Sequence, residues 1–419
     1  MGSLSEFTRR RFVWLSAVAA GTLALGGCSD EEASEAPATP ASSTTFDEPG
    51  QSGEGEGAEG ASTTDVQAVV DERVQAMTLE QKVAQLFVVA PEALVEDVAQ
   101  VTQAGEMTHA GITAYPVGGI VYFAQNLLDP DQTTTMLANV KQFYAEDGSV
   151  APFIAVDEEG GTVVRIADNE VFGVQDVGNA SDIGAAGDTE AAKQAAESIA
   201  DYLTPLGFNL DFAPVADVVD PLRSDTMGLR SFSSDAPVAA DMVRAEVEGF
   251  RAKNMLCCAK HFPGIGAAAG DSHDDSITIE KTIDELQETD LVPFKAAIEA
   301  GVPMIMVGHL NLPNVISDGV PAPLSSVVVQ DLLRDTLGYT GIIVTDSLSM
   351  GAIANYYTPT QAAVGALKAG CDIPLMPERF GEAYQGVLDA VAAGELTEER
   401  IDESVIRILT AKQQYFGTL

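Results

Sequence analysis

The sequence predicts an α/β fold of the (β/α)8 barrel type, built as one large domain. Three observations predict it. Eight short, apolar, β-rich runs recur along the chain, stretches of helical period lie between most of them, and polar residues gather where the runs end. Continuous apolar strands separated by helices form a largely parallel sheet covered on both faces. Eight such units in about 350 residues fit a closed barrel, with a doubly wound open sheet as the alternative.

The elements follow in order. Thr78-Leu79-Glu80-Gln81 reads as a capping box that opens a short helix. The strand-like runs are residues 85–89, 119–123, 153–156, 209–213, 255–259, 304–307, 342–345 and 372–375. Leu291, Phe294 and Ile298 fall on one helix face, with Gly301 as the stop. Ile401, Val405, Ile408 and Leu409 form another such face near the C-terminus. No internal repeat is visible, and no further domain is expected after the eighth unit.

Composition supports a folded chain. At 46% hydrophobic over 419 residues, a sizeable core can form. The net charge is −41, unevenly placed. Residues 1–28 carry Arg9, Arg10 and Arg11 against Glu6 alone; residues 29–64 carry nine acids and no base; the rest carries a charge of −34. Nucleic acid is excluded as a partner, because a phosphate backbone needs clustered Lys and Arg. The acidity fits either simple solubility or life in a saline medium, where self-repulsion is screened.

The first segment reads as an address. Paired arginines precede a short apolar run from Trp14 to Leu25, too short for a confident spanning helix. That pattern is a twin-arginine export signal. Leu25-Gly26-Gly27-Cys28 resembles a lipobox, with cleavage before a lipidated Cys28; an uncleaved anchor is the alternative. Residues 1–27 are then a signal peptide, 28–64 an acidic low-complexity tether, and 65–419 the folded domain, outside the cytoplasm. Cys257, Cys258 and Cys371 read as buried thiols, since adjacent strand residues point to opposite faces. No Cys/His spacing suggests a metal, and no cofactor is implied.

Chemistry in a barrel belongs at the C-terminal ends of strands. Asp157-Glu158-Glu159-Gly160-Gly161 closes the third run. Asp211 lies in the fourth, with Asp217 just beyond it. Lys260-His261-Phe262-Pro263-Gly264 closes the fifth, Gly308-His309 the sixth, and Asp346 the seventh. Three of the four histidines, His261, His273 and His309, fall on or after these ends.

Several segments are similar to glycoside hydrolase family 3, in its β-N-acetylhexosaminidase branch. The fifth-strand run with Asp271-Ser272-His273 resembles its signature. The acidic Gly-Gly loop with Arg165, the Asp211–Asp217 block with Arg230-Ser231-Phe232, the segment around Asp346, and residues 366–377 match further blocks in the family's order. The similarity runs over roughly residues 67–416.

The resemblance implies a retaining exo-β-N-acetylglucosaminidase. Asp346 would be the nucleophile, His273 the acid/base and Asp271 the group that orients it. Asp157, Arg230, Lys260 and His261 would bind the sugar, with His309 and Asp217 supporting them. The substrate would be a small amino-sugar oligosaccharide or glycopeptide, as in peptidoglycan turnover. The chain would be a monomer that meets the membrane only through its lipid anchor.

Local alternatives remain. Asp346 also suits a helix N-cap, His273 an exposed loop histidine, and Lys260 with His261 a structural pair at the rim. Asp274 and Asp275 read as solvated charges. The family usually has histidine at Ile265, arginine at Thr162 and Leu-Pro at Ser276-Ile277. Other activities also fit: an N-acetylglucosaminide phosphorylase or β-glucosidase of the same family, or a non-catalytic sugar-binding lipoprotein. With the single Trp14 in the signal segment, stacking on a sugar ring falls to Phe or Tyr.

Overall fold

A computed structural model of the protein describes residues 63–419 except 96, 221, 223–225 and 267–276. The export signal, Cys28 and the tether as far as residue 62 lie outside the described residues, as do Asp271, His273, Asp274, Asp275 and Ser276; the helix Thr63–Ala76 takes up the last two residues assigned to the tether.

Nine strands are described. They are β1 Val88–Val89, β2 Gly119–Val121, β3 Phe153–Val156, β4 Leu210–Asp211, β5 Leu256–Phe262, β6 Ile277–Thr278, β7 Met304–Val307, β8 Leu310–Asn311 and β9 Ile342–Thr345. Seven form one curled sheet in the order β1-β2-β3-β4-β5-β7-β9, every pair parallel. The eighth predicted run joins through a single parallel bridge, Val344 to Ile373. Met376 N then donates to Val88 O at 2.9 Å, which brings the last segment back to the first strand. That bond favours a barrel over an open sheet. Strands β6 and β8 pair separately, parallel, outside the ring.

The strand bounds differ from the sequence expectation at several ends: 119–123 shortens to Gly119–Val121, 209–213 to Leu210–Asp211, and 255–259 shifts to Leu256–Phe262. Gln85 ends the helix Leu79–Gln85 and does not begin a strand. The Thr78 capping box starts that helix as expected, and the Gln85 amide donates to Pro116 O at 2.7 Å. The first strand is therefore reduced to Val88–Val89.

Helices Pro130–Glu146, Thr189–Leu206 and Ala236–Ala252 cover the sheet and begin at aspartates. Asp129, Asp188 and Asp235 each accept from a first-turn N–H, so part of the acidic excess serves helix N-termini. The last two helices pack closely at Gly249, where a Cβ would stand 2.5 Å from Lys193 O. Gly301 follows the helix Leu291–Glu299 with φ +78°, as the stop the sequence suggested.

Strand side chains such as Ile120, Ile154, Leu210, Ile305 and Ile343 are fully buried. Cys257, Cys258 and Cys371 are buried free thiols. At the N-terminal ends of the strands, charges are structural. Asp372 accepts from Ile343 N, Arg334, Ser404 and Arg407. Lys412 donates to Gln85 and Gly118 O, over the Phe153 ring. No helix among the described residues is long and apolar enough to cross a membrane.

Candidate active site

The C-terminal ends of the strands surround a cavity of about 380 Å³, within the usual range for small-molecule sites. Asp157, Arg230, Lys260, His261 and Asp346 all line it. The structure thus brings together five of the seven residues expected to act on or bind a ligand. The other two, Asp271 and His273, lie outside the described residues.

Asp346 stands one residue past β9. Its N–H donates to Val307 O at 2.9 Å, and its Oδ1 accepts from Ser347 N at 2.7 Å. It caps no helix, since the next one, Gly351–Ala354, starts from Met350. Burial pushes its carboxyl up. The imidazoles of His309 and His261, the Ser347 N–H and the Lys260 ammonium outweigh burial and hold it below the ordinary carboxylate range. The cavity floor therefore carries an ionised carboxylate at neutral pH.

A second cluster faces it. Lys260 Nζ lies 2.8 Å from Asp157 Oδ1 and 2.6 Å from Glu159 Oε1. Arg230 grips Glu159 with two bonds, Nε to Oε2 at 2.7 Å and Nη2 to Oε1 at 2.8 Å. Burial alone would raise the Glu159 carboxyl, but these two cations hold it far below its usual value. Burial also opposes the charge on Lys260, and Asp157 and Glu159 override it, so the ammonium stays charged.

Glu159 was not singled out from the sequence. In the structure Glu159 shares the cavity side with Asp157 while Glu158 turns the other way, and no local pattern past the end of β3 marks that choice. Glu158 accepts from the N–H groups of Arg165, Ile166 and Ala167 at 2.5, 3.0 and 2.9 Å, and from Tyr202 Oη at 3.0 Å. That clamp turns the loop and puts Arg165 on the cavity wall. Asp211 accepts from Glu158 N at 2.9 Å, and burial pushes its carboxyl well up.

His261 is oriented from behind. Its Nδ1 lies 2.8 Å from Asp217 Oδ2, and Asp217 Oδ1 accepts from Ile265 N at 2.7 Å. His309 Nε2 donates to Ser347 O at 2.8 Å, beside Asp346. Asp217 and His309 thus hold other groups in place, as expected. Lys260 and His261 are joined by a cis peptide. Phe123 and Phe212 are the aromatic residues on the described cavity wall. Among the described residues no group of three or more His, Cys, Asp or Glu could hold a metal ion.

A further carboxylate sits behind the cluster. Glu246, on the helix Ala236–Ala252, is buried. Burial first, then the Glu159 charge, pushes it up to about 8, against the pull of Lys260. The folded state therefore binds a proton that the unfolded chain releases near pH 4.3, and wild type loses stability as pH rises from there to about 8. Glu246→Gln should match wild type in urea unfolding at pH 4 and exceed it at pH 8. Parallel midpoints at both pH values would refute this.

The family model described as "Glycosyl hydrolase family 3 N terminal domain" matches residues 78–411. The chain belongs to glycosyl hydrolase family 3. The "Beta-hexosaminidase A" of Pseudoalteromonas piscicida is 34% identical over 326 residues, covering 72% of this chain and 54% of that protein. The chain thus spans about half the length of that relative. "Beta-hexosaminidase LpqI" of Mycobacterium tuberculosis is 33% identical over 342 residues, 79% of this chain and 82% of the relative. Among solved structures, a family 3 β-N-acetylglucosaminidase from Paenibacillus sp. str. FPU-7 superposes with a TM-score of 0.76 at 38% identity. That match covers 81% of this chain and 63% of the other.

The departures from the family pattern can now be placed. Thr162 is exposed and outside the cavity wall, whereas Ile265 and Ile277 are buried and line it. Both apolar side chains shape the cavity wall.

Proposed function

We propose that this chain is a retaining, exo-acting β-N-acetylglucosaminidase that removes terminal N-acetyl-β-glucosamine from small amino-sugar oligosaccharides or glycopeptides. The observation that carries the reading is the ionised Asp346 carboxylate on the cavity floor, opposite the Asp157–Lys260–Glu159–Arg230 cluster. The relatives' names point to the same substrate class.

An Asp346 oxygen attacks the anomeric carbon while the His273 imidazolium protonates the departing oxygen. A covalent glycosyl-enzyme results. Neutral His273, oriented by Asp271, then takes a proton from water, which attacks the same carbon and releases Asp346. Asp157, Arg230, Lys260 and His261 bind the sugar hydroxyls. Charge-assisted hydrogen bonds of this kind contribute about 1.5–3 kcal/mol each. The signal segment and Cys28 make the enzyme exported and lipid-anchored, suited to peptidoglycan fragments.

The test uses 4-nitrophenyl N-acetyl-β-glucosaminide, with NMR of the first-formed sugar. The β anomer is expected. The α anomer, or tight binding of N-acetylglucosamine without turnover, would overturn the proposal. Added phosphate that yields sugar 1-phosphate would redirect it to a phosphorylase, and a preference for the matching β-glucoside to a β-glucosidase.

A further inference from the structure

The cavity wall is rich in sulfur. Four of the chain's eleven methionines, Met227, Met306, Met350 and Met376, line it. They differ in access. Met306 is buried, and so is Met227, whose Sδ lies 3.0 Å from Arg230 Nη1. Met350 and Met376 are half-buried, so solvent in the cavity reaches them.

The main chain holds both at the wall. Met350 follows Asp346 by four residues. Its N–H donates to Ser347 O at 3.1 Å, and its carbonyl accepts from Ile353 N and Ala354 N, each at 2.9 Å. Met376 has a φ of +46°, a left-handed conformation that a residue with a side chain keeps only where its surroundings impose it. Its N–H is bonded to Val88 O at 2.9 Å.

Other oxidisable groups among the described residues are protected or lie elsewhere. Cys257, Cys258 and Cys371 are buried, and burial pushes each thiol up, which suppresses the reactive thiolate. The single tryptophan, Trp14, lies outside the described residues. Met136, Met242, Met255 and Met304 are at most 2% exposed. Met107, 57% exposed, and half-buried Met77 are accessible but stand outside the cavity wall.

We propose that Met350 and Met376 are oxidant-sensitive residues of the cavity, and that hydrogen peroxide converts them to sulfoxides that reversibly disable it. This rests on the reading of the cavity as the sugar site. A thioether lone pair attacks one peroxide oxygen, an S–O bond forms, the O–O bond breaks and the second oxygen leaves as water. Sulfur gives up two electrons and the peroxide takes them. A polar side chain then stands where an adaptable apolar one packed. The added oxygen is an acceptor in a cavity that already holds Asp157, Glu159 and Asp346, and it takes up space that a sugar needs. A methionine sulfoxide reductase supplied with a dithiol restores the thioether, and the oxygen leaves as water.

The test treats the full chain with hydrogen peroxide, maps sulfoxides by peptide mass spectrometry and measures kcat/KM on 4-nitrophenyl N-acetyl-β-glucosaminide. Sulfoxide should form at Met350 and Met376 ahead of the buried methionines, and kcat/KM should fall about tenfold or more in step with it. Saturating N-acetylglucosamine should protect these two and not Met107. A methionine sulfoxide reductase with dithiothreitol should restore activity, and dithiothreitol alone should not. The double variant Met350→Leu/Met376→Leu, a swap of similar volume, should keep its own untreated activity through the same treatment. Full activity with both sulfoxides present, recovery with dithiothreitol alone, or an equal loss in the double variant would each overturn the proposal. An untreated enzyme that does not hydrolyse the glycoside would overturn the functional reading instead. The sulfoxide map needs no turnover, and Met350 and Met376 reacting no faster than the buried methionines would overturn the proposal in either case.

Discussion

Asp346→Ala should lower kcat/KM on aryl N-acetyl-β-glucosaminides by on the order of 10⁴-fold while leaving the fold intact. The fold survives because, among the described residues, the carboxylate accepts a hydrogen bond only from the neighbouring Ser347 N–H. The chemistry does not survive, because no other carboxylate stands in its position. Burial first raises the Asp346 carboxyl, and His309, His261 and Lys260 then hold it down. Removing it leaves that positive surround facing a gap of about one carboxylate. Azide should bind there, attack the sugar from the nucleophile's face and yield the α-glycosyl azide. A β-glycosyl azide, or activity within tenfold of wild type, would defeat the nucleophile assignment. The same lowering means Asp346 stays ionised above the ordinary carboxylate range, near pH 3.9. A limb of the kcat/KM profile at higher pH must therefore belong to another group.

Glu159→Ala should destabilise the protein by about 3–5 kcal/mol in urea unfolding, because it leaves buried cations uncompensated. The side chains of Glu159 and Lys260 are 5% and 3% exposed, and Arg230 is mostly buried. Among the described residues, Asp157 would be left as the sole carboxylate within bonding distance of Lys260, and the Arg230 fork would lose both Glu159 oxygens and keep only Met227 Sδ. Glu159→Gln keeps the shape and should lose less. The pH dependence has a definite sign. The folded carboxyl is depressed, so its contribution is complete above the unfolded value of about 4.3 and is lost as pH falls through the folded one. The gap between wild type and Glu159→Ala should therefore narrow in strong acid. A difference under about 0.5 kcal/mol at pH 7, the range of ordinary surface changes, would show that the cluster does not hold the fold together. Activity should fall as well, since Arg230 and Lys260 would no longer be held in one place for a sugar.

Much of this architecture was legible in the sequence because its determinants are local. Seven of the eight apolar runs became strands of the main sheet, and the eighth joined through Ile373. The exception at Gln85 is also local: the Thr78 capping box starts a helix that continues through it. Asp157, Lys260, His261 and Asp346 were found because strand ends are recognisable and a barrel points them all one way, whereas Arg230, which ends the helix Thr226–Arg230, was named only by the family resemblance. Glu159 was not found. Glu159 meets Arg230 across 71 positions of sequence, and nothing in either neighbourhood names the other.

The sequence by itself determined the strand and helix periods, the polar residues at the strand ends, and an acidic chain whose first residues are basic. These follow from side-chain alternation and local turn chemistry, which act over a few residues. The tertiary structure alone decided which charges neutralise each other. It sent Glu158 to clamp a loop and Glu159 to pair two cations, pushed the Asp211 carboxyl up and held that of Asp346 down. Burial and distance set the energy of a charge, and neither exists until the strands have closed around the cavity.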